Sequence, residues 1–230
     1  MTFTIAEYIW IDGSLPQNLR SKMRTLYFDE PITLASFPEW NFDGSSTNQA
    51  IGSNSEVILK PQALFKNPLN SPSHYLILCD CYDGDLNKHI TNHRDTANNI
   101  CNQYHHKKCW FGLEQEYFLV DPTTQRPLGY PVKGNPKKKQ GDYYCGVGVD
   151  NAFGRVVAEE HYLACLRAGI KMSGINGEVA PGQWEFQVGP CEGIEAGDHL
   201  WMARRIGSYL CSNAQIRRHS PQTFGDVWNE

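Results

Sequence analysis

The segment Trp110-Phe-Gly-Leu-Glu-Gln-Glu-Tyr-Phe-Leu-Val120 constrains the chain more than any other. Side chains alternate along a strand. Glu114 and Glu116 therefore share one face with Gly112, Phe118 and Val120, while Leu113, Tyr117 and Leu119 take the opposite, core-facing side. Two carboxylates side by side on a partly apolar face repel each other, and each tends toward protonation unless a cation compensates. Glutamate is a poor strand former, so spending two of them here favours a functional face over the alternative, a solvated strand edge. Any fold for this chain has to build a sheet with one acidic side.

The rest of the sequence supplies more strands and three helical stretches. Residues 2–12 read as a strand with Phe3, Ile5, Ile9 and Ile11 on one face and Asp12-Gly13 as a turn. Residues 20–28 alternate again, and 56–60 and 75–81 are short β-type runs separated by loops rich in Pro, Asn, Ser and Gly. Residues 95–108 have helical spacing, with Ala97, Ile100, Cys101 and Tyr104 on one side. After a long Pro/Gly/Lys-rich connection over 121–142, the pattern predicts a helix over 153–168 stopped by Gly169. A third helix is expected from Asp198 to about Leu210, with Leu200, Ala203 and Ile206 inward. Strands and helices mix without a regular βαβ alternation, so the expected class is α+β.

Residues 175–188 read as two strands joined at Pro181-Gly182. If those two are the centre of a tight turn, Glu178 faces Glu185 across the hairpin, with Cβ atoms about 5 Å apart. Like charges directly opposite are destabilising unless something bridges them. Trp184, Phe186 and Val188 alternate to the other face. Four strand carboxylates, Glu114, Glu116, Glu178 and Glu185, with no His or Cys among them, suit Mg²⁺ or Mn²⁺ better than zinc or copper. Such clusters commonly hold nucleotide phosphates. The chain has no P-loop, and Cys145-Gly-Val-Gly-Val-Asp-Asn lacks the third glycine of a dinucleotide fingerprint. If ATP binds, metal ions rather than a P-loop would do most of the phosphate holding.

The bulk numbers exclude several classes. With 230 residues there is room for one large domain or two modest ones. A net charge of -4 gives no electrostatic footprint for nucleic acid or an anionic membrane. No apolar run is long enough to span a bilayer, and the start lacks the regions of a signal peptide. The eight cysteines form no C-x-x-C pair, and most lie in apolar stretches. Buried free thiols in a reducing compartment follow, cytosol or an organelle interior.

At these residues the chain resembles eukaryotic-type glutamine synthetase. The resemblance is carried by 110–117, by Tyr143-Tyr-Cys-Gly-Val-Gly, by Glu160-His-Tyr-Leu-Ala-Cys-Leu, and by Asn176-Gly-Glu-Val-Ala-Pro-Gly-Gln-Trp-Glu-Phe-Gln-Val-Gly-Pro-Cys-Glu-Gly-Ile. Gly197-Asp-His-Leu-Trp-Met-Ala-Arg continues it, and Phe37-Pro-Glu-Trp-Asn-Phe-Asp-Gly-Ser-Ser-Thr-Asn-Gln-Ala matches the family's N-terminal signature. It implies a β-grasp-like domain over 1–86 and the first part of a catalytic domain over 90–230, with its site on a curved antiparallel sheet. It also implies ligation of ammonia to glutamate through γ-glutamyl phosphate, with ATP as cosubstrate and Mg²⁺ or Mn²⁺ as cofactor. By position, Glu116, Glu178 and Glu185 match one metal site and Glu114 a ligand of the second. Glu114 and the run Glu185, Phe186, Gln187, Val188, Gly189 and Pro190 match nucleotide contacts. Asp43 matches the acid that deprotonates ammonium from a neighbouring subunit, with Ser46 beside it in the substrate pocket, and Tyr144 matches an aromatic near that pocket. Read from residues alone, Asp43 is better explained as the turn residue of Asn-Phe-Asp-Gly-Ser-Ser, and only the resemblance favours a functional role. The implied partners are glutamate, ammonia, ATP and further copies of the subunit in a ring.

The sequence also departs from the family. Asn-Gly-Ala-Gly-x-His and Ile-Arg-Ile-Pro-Arg-type segments and the substrate flap do not occur. Residues 214–222 stand where the family has an apolar strand, without strand periodicity, and 225–229 faintly echo the family's Gly-Asp-Trp-Asn. The expectation is a chain truncated at its C-terminus and inactive alone. The alternatives are a non-catalytic assembly or regulatory member and a γ-glutamyl ligase for another amine.

Overall fold

The computed structural model describes residues 2–28, 31–70, 72–214 and 217–219. The chain forms two compact units, Met1–Cys109 with Glu192–Asp198, and Trp110–Cys191 with His199–Glu230. The architecture is mixed α+β, as the patterning predicts.

Unit 1 is built on five strands: β1 (Thr2–Ile11), β2 (Leu19–Phe28), β3 (Trp40–Asp43), β4 (Glu56–Lys66) and β5 (His74–Asp83). Their order is β2-β1-β5-β4-β3, with β1 and β5 parallel and every other pair antiparallel. This is the mixed, β-grasp-like sheet. One core cluster gathers Ala6, Tyr8 and Trp10 with Phe37, Val57, Leu59, Ile77, Cys79 and Cys81. The expected alternation of β1 holds, with Phe3, Ile5, Ile9 and Ile11 on the face opposite this cluster. The Tyr8 hydroxyl keeps a partner by donating to the Pro38 carbonyl at 2.6 Å. Ile9 is buried on the second face, but Phe3 stays half exposed.

Strand β4 runs six residues past the expected end. Proline has no N–H for the ladder, and the register shifts between Pro61 and Ala63, so the strand continues beyond a bulge. Helix α1 (His93–Gln103) starts two residues before the expected position, where the Asn92 side chain accepts from the Asp95 amide at 3.1 Å. Its expected apolar side does not pack. Ile100 is 54% exposed and none of the helix's residues is buried.

What anchors α1 is charge. Arg94 donates to both carboxylate oxygens of Asp198, at 2.7 and 2.8 Å, and its guanidinium lies 3.6 Å from Asp80. Gln62 accepts from the same guanidinium at 3.3 Å. The fork geometry suits a bidentate carboxylate.

Unit 2 holds β6 (Trp110–Val120), α2 (Arg155–Ala168), β7 (Met172–Gly177), β8 (Gln183–Glu192) and most of α3 (Glu195–Asn213). Gly169 ends α2 with φ of 86°, a left-handed cap that glycine takes without steric cost. The sheet order is β7-β8-β6-β9, where β9 (Arg217–His219) pairs antiparallel with the end of β6. The aperiodic 214–222 stretch thus contributes a short strand after all. A ladder of backbone groups does not require alternating side chains, and three residues at a sheet edge suffice. The echo at 225–229 lies outside the described residues. In α3, Met202, Ala203 and Ile206 are fully buried while Leu200 is only half-buried.

All eight cysteines are free thiols. Cys79, Cys81, Cys165, Cys191 and Cys211 are buried, but Cys109 and Cys145 are exposed. Among the described residues no helix is long and apolar enough to cross a membrane.

Asp80 gives unit 1 a pH signature. Burial, together with the nearby Asp95 and Asp198 charges, pushes its carboxyl up to about 6 against the pull of Arg94. A raised carboxyl favours the folded state below its ordinary range near 3.8 and loses that contribution as pH rises through about 6. Two units correspond to roughly 3 kcal/mol. Asp80→Asn should therefore gain on wild type by about that much between pH 4 and pH 7 in urea unfolding. A difference that stays flat across that range would remove Asp80 as the titrating group.

Candidate carboxylate site on the β6–β8 face

Strand β8 sorts its residues by parity. Trp184, Phe186 and Val188 are at most 1% exposed. Trp184 donates from its indole to the Phe153 carbonyl at 2.8 Å, and Phe186 meets His161 edge to face at 5.0 Å. Gln183, Glu185 and Gln187 go to the opposite face, which also carries Glu116 from β6 and Asn176 and Glu178 from the β7 side.

On that face each of three carboxylates holds a carboxamide. Gln183 donates to Glu116 at 2.7 Å. Gln187 donates to Glu185 at 2.6 Å, and Asn176 donates to Glu178 at 3.0 Å. The second Glu178 oxygen accepts from the Val179 amide at 3.2 Å. Burial raises the Glu178 pKa above its ordinary value, and the Glu116 and Glu185 charges raise it further. Glu178 thus senses both of the other carboxylates. Glu114 lies exposed on the same strand as Glu116.

The expected pairing of Glu178 with Glu185 does not occur. Pro181-Gly182 do form the centre of a tight turn, with the Gln183 amide donating to the Ala180 carbonyl and Gly182 at φ of 70°. Yet the ladder places Asn176 opposite Glu185 and Gly177 opposite Trp184, and the Glu178 amide donates to Gln183. The offset of two arises at 178–179, where another segment takes the backbone. Val179 O accepts from the Gly141 amide and Gly177 O from the Cys145 amide, each at 2.9 Å. Sequence spacing located the turn correctly and missed that the ladder resumes only at Glu178 and Gln183.

The remaining expected residues fall as follows. Tyr144 is 57% exposed, and its hydroxyl is held above its ordinary pKa first by Cys145 and then by the Glu178 and Glu185 charges. Phe186 and Val188 point into the core, so only their backbone is available to a nucleotide. Gln187, Gly189 and Pro190 continue along β8, and a Cβ on Gly189 would meet the Phe111 carbonyl at 2.6 Å. Asp43 and Ser46 belong to unit 1. Asp43 ends β3 and accepts from the Ser45 amide at 3.0 Å and the Ser45 hydroxyl at 2.6 Å, which hold its carboxyl below the ordinary range. Its immediate partner is therefore Ser45; Ser46 is exposed on the same turn.

Gln183 and Asn176, to which the sequence assigned no role, are carboxylate partners. The signal was present in the alternation Gln183-x-Glu185-x-Gln187, which puts two amides beside one acid. The acids themselves offer only carboxylate oxygens, a chemistry that suits a hard divalent cation. Among the described residues no group of three or more His, Cys, Asp or Glu closes to the spacing that holds a metal ion.

The fold is shared with solved structures. Plasmodium falciparum glutamine synthetase, determined by cryoEM, superposes with a TM-score of 0.65 at 15% identity, covering 94% of this chain and 46% of that one. A structure described as a GmaS/ADP complex gives 0.66 at 14%, covering 92% and 48%. At those identities the likeness concerns fold alone. Sequence carries it further, because the family model "Glutamine synthetase, catalytic domain" matches residues 92–215. The chain is 49% identical over 225 residues to glutamine synthetase of Gallus gallus, covering 97% of this chain and 59% of that protein. It is 54% identical over 229 residues to glutamine synthetase cytosolic isozyme 1-1 of Oryza sativa subsp. japonica, covering 98% and 63%. The chain belongs to the glutamine synthetase family, and it spans about three fifths of the length of these relatives.

The electrostatics can be checked directly. Carbon-13 carboxyl titration by NMR should place the Glu178 midpoint above the ordinary glutamate value, and Glu116→Gln or Glu185→Gln should move it down. A Glu178 midpoint indifferent to both substitutions would show that the carboxylates do not sense one another.

Proposed function

We propose that this chain serves glutamine synthesis, as an ATP- and divalent-metal-dependent glutamate–ammonia ligase working in the cytoplasm. Residues 1–86 act as its N-terminal domain and residues 90–230 as catalytic-domain sequence. The observation that carries this reading is the convergence of Glu116, Glu178 and Glu185, with Glu178 pushed toward protonation by burial and by the other two charges. Such a face is unfavourable as it stands and becomes favourable around a cation.

In the reaction a γ-carboxylate oxygen of glutamate attacks the γ-phosphorus of ATP and ADP leaves; ammonia then attacks the acyl carbon and phosphate leaves. Glu116, Glu178 and Glu185 would hold one Mg²⁺ or Mn²⁺, and Glu114 would contribute to a second. A cation held there neutralises the charge spreading over the transferred phosphoryl group. Positioning is the chain's own part, since such transfers depend mostly on orientation and electrostatics. Glu185, fixed by the burial of Phe186 and Trp184 on either side of it, presents its carboxylate from a rigid strand. The β8 segment from Glu185 to Pro190 lines the nucleotide. Asp43, kept ionised by Ser45, takes the proton of ammonium, and it does so in a neighbouring subunit of a homo-oligomeric ring. Ser46 and Tyr144 border that pocket.

Metal binding is the direct test. Titration of Mn²⁺ followed by the EPR signal of the free ion should give binding to wild type and affinity at least about tenfold weaker for Glu185→Ala. Equal affinity in the two proteins would sink the assignment.

A further inference from the structure

The three carboxylates do not hold their positions by themselves. Gln187 uses one Nε2 group twice, donating to Glu185 Oε1 at 2.6 Å and to Asn176 Oδ1 at 3.2 Å. Asn176 passes the chain on by donating from Nδ2 to Glu178 Oε1 at 3.0 Å. A continuous run of hydrogen bonds therefore links Glu185 to Glu178 through two neutral carboxamides. The ladder explains why these two amides can do it. Asn176 is directly opposite Glu185, and Gly174 is directly opposite Gln187, so all four sit on one face.

Gly174 is the second, independent observation. A Cβ there would lie 2.7 Å from Gln187 Oε1, closer than real contacts allow. The missing side chain leaves the space across which the Gln187 carboxamide lies to reach Asn176.

We infer that Asn176 and Gln187 are positioning residues, an amide relay that fixes the Glu178 and Glu185 carboxylates relative to each other before a cation arrives. The relay rests on the divalent-metal reading above and adds to it. Carboxamides suit the task because they bridge two acids without adding charge. A lysine or arginine in the same place would neutralise the acids and compete with the metal. Each carboxylate also keeps an oxygen outside the relay. Outer partners of metal-ligating groups commonly set ligand orientation, and their loss costs about 10- to 100-fold in metal affinity.

The test compares wild type, Glu185→Ala, Gln187→Met and Gly174→Ala, with Mn²⁺ affinity by EPR and the urea midpoint of each. Gln187→Met keeps length and loses the donor. Gly174→Ala alters no side chain of the relay and only crowds the flexible end of Gln187. The expected result is Mn²⁺ affinity about tenfold or more weaker in both variants, with urea midpoints at the wild-type value. If Glu185→Ala loses Mn²⁺ while Gln187→Met and Gly174→Ala bind as wild type does, the relay is overturned and the metal site stands. If wild type and Glu185→Ala bind alike, the metal reading itself fails. If affinity falls only in step with the urea midpoint, the amides are structural and the inference is overturned.

Discussion

Everything at the acidic face depends on the sidedness of β8. Trp184, Phe186 and Val188 are locked into the core of unit 2, and that lock is chemical as well as steric. The Trp184 indole has its hydrogen bond to Phe153, and Phe186 packs against a histidine whose own ring nitrogen bonds the Ala203 carbonyl at 2.9 Å. A slip of one residue would exchange the two faces of the strand. Glu185 would then enter an apolar core and Phe186 would leave it. The burial of two large aromatics fixes the register, and the register aims the carboxylate.

His161 shows how closely the layers behind the sheet are matched. A Cβ on Gly207 of α3 would meet its ring at 3.0 Å, so α3 approaches α2 at a position where only hydrogen fits without displacement. The long wall of helices is thus set against the strand that carries Glu185, and small residues such as Ala158, Ala164 and Ala203 maintain the approach. Dense packing transmits position, so the backbone of β8 has little freedom to drift. The opposite face is treated differently. There the segment at 141–145 engages the carbonyls of Gly177 and Val179, and the Glu178 amide bonds Gln183 rather than Glu185.

Much of this was legible in the sequence, and the failures have physical causes. The period-two patterns over 110–120 and 183–188 placed the strands and sorted their faces, because large apolar side chains alternating with acids leave one solution. The turn at Pro181-Gly182 was legible because proline fixes φ and glycine accepts a positive one. The partner of Glu185 was not legible, since register also depended on a loop forty residues upstream. In α1 an apolar stripe suggested a packed face, but the helix is held by Arg94 on Asp198. Ion pairs between residues a hundred positions apart leave no periodic trace. The carboxamide partners of the acids could have been read from Gln183-x-Glu185-x-Gln187, but alternation shows only that groups share a face, not that they bond.

The acidic face is a place where the chain accepts local instability. Glu185 is 7% exposed and Gln187 is the donor that its carboxylate meets at 2.6 Å. Glu178 responds to crowding by drifting toward protonation. An ordinary core would replace these groups by apolar side chains and gain from the exchange, because buried charge rarely offsets its own desolvation. The sheet instead surrounds its acids with neutral amides, which satisfy lone pairs without removing the negative charge. That choice separates this cluster from the Arg94 cluster of unit 1, where a guanidinium meets two of the acids directly. One arrangement brings a positive charge to its acids from within the fold. The other meets its acids with neutral amides from Gln183, Gln187 and Asn176, which leave their negative charge in place.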